Sequence, residues 1–341
     1  MINLIGFTKE DMMNLMVKIG QPRYRGNQIY RWIYREGINR LNEMTNIPKV
    51  LKEELLRDYE IKHIQIYKVF KDAKDDTYKF LLLLHDQHLI ECVLMKYNFG
   101  YTLCISTQVG CRMGCKFCAS TIGGVERNLT SGEIIDQIMV VNNYLGMQCS
   151  NVVLMGSGEP LDNYDEVLKF IYNVNNPDGI NMGQRHITLS TCGIVPKIID
   201  LAKKKMQINL SCSLHAPNNM IRDTLMPMNK KYPIEELLKA CQFYFDETGR
   251  RVTFEYAMIH GMNDTQECAV QLVKLLKGRN CLINLIPINE IEESSFIKSE
   301  KNNIIKFSHH LQEMGLNTTI RREMGSSINA ACGQLRKNFK K

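Results

Sequence analysis

The sequence predicts an α/β protein built on parallel strands, because two kinds of segment alternate from about residue 100 onward. Short apolar and β-branched runs, typical of buried strands, are each followed by an amphipathic stretch with helical spacing. Consecutive strand–helix units imply parallel strands joined by right-handed crossovers. The pattern alone is compatible with a doubly wound sheet or with a barrel. The six predicted strands cover residues 102–106, 151–155, 186–190, 208–213, 252–259 and 282–288.

Amphipathic stretches between these strands predict the helices of the same region. Thr130 and Glu133 form a capping box that begins the first of them, because each side chain can accept a hydrogen bond from the other residue's backbone N–H. The predicted helices cover residues 131–145, 164–174, 195–205, 233–246 and 265–277.

The first 60 residues predict a separate helical region, with apolar side chains at three- and four-residue spacing. Arginines alternate with aromatic residues between Arg23 and Arg35, a composition that suits an RNA backbone with exposed bases. The other interpretation places the aromatic rings in the core and the arginines in solvent. Residues 65–97 alternate like strands and predict a hairpin between this region and the main body.

Composition favours an ordinary globular protein, with 44% apolar and 23% charged residues among 341. No run approaches the roughly 20 apolar residues that span a bilayer. Charges follow immediately after the opening seven residues, which excludes a secretory signal. We therefore expect a cytoplasmic protein with no membrane partner, and twelve cysteines that do not form a disulfide scaffold. The net charge of +7 permits a polyanionic partner without requiring one.

Polar residues follow most of the predicted strands, which locates the functional site. In parallel α/β architectures the carboxyl ends of the strands meet on one face, where sites are built. The segments at these ends are a cysteine triplet, Gly156 to Pro160, Ser190 to Gly193, Ser213 to His215, and Asn289.

The triplet Cys111, Cys115 and Cys118 has CxxxCxxC spacing and offers three thiolates to one metal centre. A structural zinc ion takes four protein ligands, usually as two separated pairs, and the second pair is missing here. Three buried thiols without metal are the other alternative, but Arg112, Gly114 and Lys116 do not suit a core segment. A four-iron cluster with one iron open to a non-protein ligand fits the ligand count.

CxxxCxxC with an aromatic residue before its last cysteine resembles the signature of radical S-adenosylmethionine enzymes. Four further segments resemble the RlmN/Cfr family of RNA adenosine methyltransferases: 106–111, 127–134, 155–160 and 330–335. The resemblance extends over nearly the whole chain and is greatest to the RlmN branch. It implies a partial (β/α)6 barrel with a small N-terminal helical accessory domain. The implied divisions are an accessory domain at 1–60, a hairpin linker at 61–96, the barrel at 97–328 and a C-terminal segment at 329–341.

The resemblance also implies a role for individual residues. The triplet would hold one [4Fe–4S] cluster whose open iron binds S-adenosylmethionine, both the methyl donor and the source of a 5′-deoxyadenosyl radical. Asn289, followed in many relatives by proline, is followed here by Glu290. The implied S-adenosylmethionine contacts are Gly158, Glu159, Ser190, Ser213, Leu214, His215 and Asn289. The implied catalytic residues are Glu91 as general base, Cys332 as methyl acceptor and Cys104 as resolving thiol.

The chemistry of adenine explains why such an enzyme would need two further cysteines, Cys332 and Cys104. Carbon 2 of adenine is electron-poor and is not a nucleophile toward a sulfonium methyl group, whereas a Cys332 thiolate is. A radical on that S-methyl group can add to the ring, and Glu91 can then remove the ring proton. Attack of Cys104 on the sulfur of Cys332 would release the product and leave a disulfide. Seen singly, Cys104, His215 and Glu91 would more often be structural residues.

The resemblance therefore implies methylation of adenosine carbon 2 in 23S rRNA, at the peptidyl-transferase centre, and of the adenosine 3′ of the anticodon in tRNAs. An electron donor such as flavodoxin or ferredoxin would be a further partner. The alternatives are a Cfr-type enzyme that methylates carbon 8 and a non-catalytic, metal-stabilised RNA-binding protein. A base inside a stacked helix is out of reach, so the substrate must present or flip it. The basic residues Arg321, Arg322, Arg336, Lys337, Lys340 and Lys341 would assist RNA binding.

Overall fold

The computed structural model describes residues 1–291 and 293–335. It confirms all five predicted helices to within a few residues at either end, and the Thr130–Glu133 capping box is formed. The helices of the described residues are α1 (Lys9–Lys18), α2 (Tyr24–Tyr34), α3 (Lys49–Asp58), α4 (Ser131–Leu145), α5 (Tyr164–Asn175), α6 (Val195–Lys203), α7 (Asn219–Leu225), α8 (Ile234–Thr248), α9 (Gln266–Leu276) and α10 (Lys301–Glu313).

A mixed sheet of ten strands forms the centre of the molecule, in the order β14-β13-β12-β11-β10-β9-β6-β5-β4-β3. The seven strands from β14 to β6 are parallel, and the six predicted strands are among them. The seventh, β14, was not predicted. The sheet is open, and the arrangement is the α/β fold expected from the sequence. Its strands are β3 (Gln65–Lys71), β4 (Tyr78–Leu83), β5 (Leu89–Tyr97), β6 (Gly100–Cys104), β9 (Asn151–Leu154), β10 (Ile187–Thr191), β11 (Asn209–Ser213), β12 (Val252–Met258), β13 (Cys281–Pro287) and β14 (Thr318–Ile320).

The antiparallel strands β3, β4 and β5 extend this sheet, because β5 pairs with β6. The predicted hairpin is therefore formed by β4 and β5, but a third strand precedes it and the hairpin is continuous with the main sheet. Val93 lies directly opposite Cys104 in this pairing, so β5 provides one wall of the region in front of β6.

The remaining strands of the described residues form two short sheets. A parallel pair joins β1 (Ile2–Asn3) to β2 (Tyr59–Glu60) and so closes the N-terminal helical region. An antiparallel pair joins β7 (Gln108–Gly110) to β8 (Val125–Asn128). The loop between β7 and β8 carries the cysteine triplet, so both of its ends are fixed by the same ladder.

Helices α1 to α3 share one apolar core with α4 and α5. Tyr30 and Tyr34 are buried in it, and the Tyr30 hydroxyl donates to Asn173 Oδ1 at 2.5 Å. These two rings are therefore core residues, as the second interpretation of this region held. Tyr24 is exposed, with the Arg25 guanidinium 5.0 Å from its ring centroid. No helix in the described ranges has the length and apolar character needed to cross a membrane.

Candidate active site

A cavity opens at the carboxyl ends of the parallel strands. It encloses about 1480 Å³, including its opening to solvent. Eleven of the thirteen residues proposed from the sequence line it: Cys104, Cys111, Cys115, Cys118, Gly158, Glu159, Ser190, Ser213, His215, Asn289 and Cys332. Glu91 and Leu214 do not.

The three cysteines of the triplet lie in one wall of this cavity. The Lys116 backbone N–H donates to Leu225 O at 3.0 Å, which anchors the cysteine loop to the end of α7. Phe117 packs edge-on against His215, with ring centroids 4.8 Å apart. Burial raises the pKa of the Cys111 thiol to about 12 and raises those of Cys115 and Cys118. Buried neutral thiols of this kind ionise when a metal binds them.

The donor set fits a four-iron cluster better than a single zinc ion. Over residues 1–291 and 293–335, no three or more His, Cys, Asp or Glu side chains converge to hold one metal ion. A cluster spaces its cysteine ligands more widely, because each thiolate binds a different iron. The triplet supplies three thiolates, so a four-iron cluster held by the triplet alone would keep one iron open.

Gly158 and Glu159 follow β9 and form the next part of the wall. Gly158 has φ +109°, and a Cβ there would lie 2.7 Å from the backbone nitrogen of Gln108, so the position requires glycine. The buried Glu159 carboxylate accepts hydrogen bonds from Cys192 N at 2.7 Å and Leu161 N at 3.0 Å. Burial raises the pKa of Glu159, and these hydrogen bonds oppose that shift. An ammonium group is the partner that such a held carboxylate binds best.

Ser190, Ser213 and His215 stand at the ends of β10 and β11. Burial lowers the pKa of His215 to about 3, and the charge of Arg222 adds to the shift. His215 Nδ1 accepts from Ala257 N at 2.9 Å, so the neutral ring carries its proton on Nε2 and acts as a donor there. Leu214 is fully buried behind the wall, and its contribution is the backbone carbonyl that accepts from Arg222.

Asn289 and Cys332 are in contact across the cavity opening. The Asn289 Nδ2 group donates to the backbone oxygen of Cys332 at 3.0 Å. Cys332 itself is exposed, on a loop that is also tied to the residues following the triplet: Ala119 N donates to Gly333 O at 2.8 Å, and Ser120 Oγ to Leu335 O at 2.8 Å. The loop thus brings Cys332 to the rim beside the cysteine triplet.

Cys104 ends β6 and faces the same cavity. Burial raises the pKa of its thiol to about 12, with a smaller contribution from the nearby Cys332, whereas the Arg321 guanidinium opposes the shift. Cys104 also packs with Ala330, two residues before Cys332. The two thiols assigned to successive steps therefore share one site.

Glu91 is not part of the cavity wall. It lies on β5 two residues before Val93, so both side chains are on the same face of the strand. Its carboxylate is buried and forms an ion pair with Lys79 at 3.2 Å. Lys79 Nζ also donates to Asn329 O at 3.2 Å, which links this pair to the loop of Cys332.

Several charged residues around the site were not predicted from the sequence. Glu255 is buried in the cavity wall, held by Ser211 Oγ at 3.0 Å and Asn284 Nδ2 at 2.8 Å; a carboxylate inside an apolar strand was the available signal. Arg222 and Lys79 gave no such signal, because only the fold brings their partners to them. Arg321 and Arg322 line the cavity as part of the basic tail, whereas Arg336, Lys337, Lys340 and Lys341 lie outside the described residues.

Comparisons with known proteins place this site in a family. Residues 105–274 match the model of the Radical SAM superfamily, and residues 2–61 match the Ribosomal RNA large subunit methyltransferase N-terminal domain. A probable dual-specificity RNA methyltransferase RlmN from Clostridium novyi (strain NT) is 52% identical over 339 residues, covering 99% of both chains. The protein of that name from Thermoanaerobacter sp. (strain X514) is 52% identical over 341 residues, covering 100% of this chain and 99% of its own.

A solved structure extends the likeness to the fold. The crystal structure of a radical SAM methyltransferase from Sphaerobacter thermophilus superposes with a TM-score of 0.94 at 39% identity, covering 99% of this chain and 100% of that one. Fold and site therefore define a radical S-adenosylmethionine methyltransferase, a class that uses a [4Fe–4S] cluster and S-adenosylmethionine. Within that class, the chain belongs to the RlmN family.

Proposed function

We propose that this enzyme methylates carbon 2 of adenosine in RNA: one adenosine of 23S rRNA at the peptidyl-transferase centre, and the adenosine 3′ of the anticodon in tRNAs. The observation that carries the proposal is the placement of Cys104 and Cys332 in one cavity with the cysteine triplet. An enzyme that transferred a methyl group directly to a nucleophile would need neither thiol. The names of the most similar relatives support RNA as the substrate.

When bound, the cluster and S-adenosylmethionine supply a methyl group and one-electron chemistry. Cys111, Cys115 and Cys118 would hold the cluster, and Glu159 would bind the ammonium of the amino-acid portion. Ser190, Ser213, Asn289 and the Nε2–H of His215 add polar contacts around the same cavity. Apolar side chains such as Met113 and Ile288 complete the wall and exclude water.

Cys332 would be the methyl acceptor, because it is exposed on a loop at the cavity rim and can meet both cofactor and RNA. Once the methyl carbon is bonded to the adenine ring, Glu91 would remove the proton from carbon 2, and the unpaired electron that radical addition leaves on the ring would return to the one-electron carrier. The Cys104 thiolate then attacks the sulfur of Cys332, the carbon–sulfur bond breaks, and a Cys104–Cys332 disulfide forms. The departing carbon keeps the bonding electron pair and is protonated to the methyl group, so a thiol reductant must restore both cysteines before the next cycle.

RNA would be gripped outside the cavity by the N-terminal helical region and by Arg321 and Arg322. Tyr24 is exposed on α2, with the Arg25 guanidinium 5.0 Å from its ring centroid, and this pair suits an unpaired base. We further propose a cytoplasmic enzyme that receives its electrons from flavodoxin or ferredoxin. The domain boundaries at residues 60, 96 and 328 belong to the same proposal.

The deciding experiment is nucleoside mass analysis after reaction of the anaerobically reconstituted enzyme with 23S rRNA and tRNA fragments. We expect 2-methyladenosine in both RNAs and no methylation by Cys332→Ala. Formation of 8-methyladenosine would instead identify the Cfr-type reaction. RNA binding with no modified nucleoside, in a protein that carries zinc and no iron, would identify a non-catalytic RNA-binding protein.

A further inference from the structure

Arg222 is a fully buried cation whose hydrogen-bond partners are all neutral. It lies on α7, has no exposed surface, and forms no ion pair with any residue of 1–291 or 293–335. Its guanidinium donates to five oxygen atoms: Cys192 O at 2.9 Å, Ser213 O at 3.0 Å, Leu214 O at 3.2 Å, Asn229 Oδ1 at 2.9 Å and Tyr232 O at 3.3 Å. Burial of an arginine without a carboxylate is costly, so this arrangement requires an explanation.

Three of these oxygens belong to the segments that follow β10 and β11. Those segments also contain the backbone N–H of Cys192 that holds Glu159, the cavity-lining Ser213, and His215. One rigid, planar guanidinium therefore links two neighbouring strand ends that face the proposed S-adenosylmethionine contacts. A lysine could place a charge there but could not reach the same set of acceptors with its compact ammonium.

The helix that carries Arg222 also contacts the cysteine loop. Leu225 at the end of α7 accepts from the Lys116 N–H at 3.0 Å. Leu225 and Met226 pack with Cys111, Met113 and Cys192 in one apolar cluster. The guanidinium of Arg222 is therefore buried on the helix whose end packs with the cysteine triplet, and a charge in such apolar surroundings is weakly screened.

We propose that Arg222 is a positioning residue with two effects: it fixes the two strand ends that bind S-adenosylmethionine, and it supplies a buried positive charge to the iron–sulfur cluster. Three thiolates outweigh the positive charge of the iron–sulfide core, and reduction makes the centre more anionic. A nearby cation favours the reduced form and so raises the midpoint potential. This inference rests on the cofactors and not on the RNA substrate or the methylated carbon.

The test uses Arg222→Lys, which keeps the charge and loses most of the contacts, and Arg222→Gln, which loses the charge as well. Each anaerobically reconstituted protein is analysed for iron and sulfide. Its affinity for S-adenosylmethionine is then measured by calorimetry, and its midpoint potential by a redox titration monitored by electron paramagnetic resonance. Arg279→Gln is the matched control, because Arg279 also donates to a backbone carbonyl, but its partners Leu238 and Gln242 both lie on α8 and belong to neither strand end.

We expect both Arg222 variants to bind S-adenosylmethionine about tenfold or more weakly, the effect of losing charge-assisted hydrogen bonds that shape the site. The midpoint potential should fall in Arg222→Gln and stay near the unsubstituted value in Arg222→Lys. Arg279→Gln should change neither the affinity nor the midpoint potential.

Unchanged affinity for S-adenosylmethionine in Arg222→Lys would overturn the positioning effect, even if Arg222→Gln does not fold. A potential in Arg222→Lys as low as in Arg222→Gln, or unchanged in both, would overturn the charge effect. Methylation of carbon 8 would refute the proposed function and leave this inference intact.

Discussion

At the scale of single residues, burial decides how the two proposed reactive thiols behave. Cys332 is exposed on its loop, whereas Cys104 is buried at the end of β6. A thiolate is the attacking species in disulfide chemistry, and burial opposes its formation. Cys104 would therefore react slowly until another group or the substrate assists its ionisation. The Arg321 guanidinium already acts in that direction.

This difference predicts the pH dependence of product release. The pKa of Cys104 is raised to about 12, so its thiolate fraction should increase about tenfold per pH unit between pH 7 and 9. In single-turnover reactions, decay of the covalent enzyme–RNA adduct should accelerate in proportion, as followed by denaturing gel electrophoresis. Cys104→Ala should accumulate the adduct at every pH. Free, fully methylated RNA from that variant would rule out the resolving role.

The Lys79–Glu91 ion pair gives a second residue-scale prediction. Both side chains are buried, and removing one member of a buried pair typically costs about 3–5 kcal/mol. Lys79→Met should therefore lower the free energy of unfolding in urea by about 3 kcal/mol. The double variant Lys79→Met/Glu91→Gln should recover part of the lost unfolding free energy, because it no longer buries a carboxylate that has lost its cation. Equal stability of the two variants would mean that the pair contributes little.

At the scale of elements, the loop between β3 and β4 holds the loop of Cys332. Asp72 Oδ2 accepts from Ser327 N at 3.1 Å and from Ser327 Oγ at 2.6 Å, and Asp75 Oδ2 accepts from Gly325 N at 3.2 Å. These carboxylates act at the start of the loop, while Asn289 and Ser120 hold its far end. Cys332 therefore lies on a segment anchored on both sides.

Asp72→Ala should release the first of these anchors. We expect faster hydrogen exchange in residues 324–335 and slower methylation of Cys332, because the thiol spends less time at the cavity. Asp76→Ala is the matched control: Asp76 is in the same turn but forms an exposed ion pair with Lys96, and exposed pairs contribute little to stability. If both variants exchange like the unsubstituted protein, the Asp72 contacts do not restrain the loop.

Element prediction succeeded where the pattern was local and failed where pairing was distant. The apolar runs and the Thr130–Glu133 cap are properties of short segments, so six strands and five helices could be predicted from them. Strand β14 has only three residues, two of them exposed, and exists because β13 is beside it. The triplet and Glu159 were visible as motifs. Arg222 and Lys79 were not, since their contacts join residues that only the fold brings together.

At the scale of the whole molecule, the N-terminal region packs closely against α4, α5 and the segment after α5. The backbones meet closely at Gly6 and Gly132, because a Cβ at Gly132 would lie 2.4 Å from Ile5 O. The Tyr30 hydroxyl donates to Asn173 Oδ1 at 2.5 Å, and Lys9 pairs with Asp178 at 2.5 Å. If this region grips RNA, its fixed orientation sets where the target base meets the cavity.

Gly132→Ala should therefore disturb RNA placement without touching the active site. Overpacking of this kind typically costs about 1–3 kcal/mol, and we expect a loss of that size in the free energy of unfolding. Hydrogen exchange should accelerate in residues 2–61, and RNA affinity should fall, while iron content and S-adenosylmethionine affinity stay unchanged. Gly183→Ala is the control, because its Cβ would approach only His186 Cδ2, at 3.4 Å. Loss of cofactor binding in Gly132→Ala would show that docking of the N-terminal region also shapes the cavity. Unchanged RNA affinity would show that the orientation of the N-terminal region does not guide the substrate.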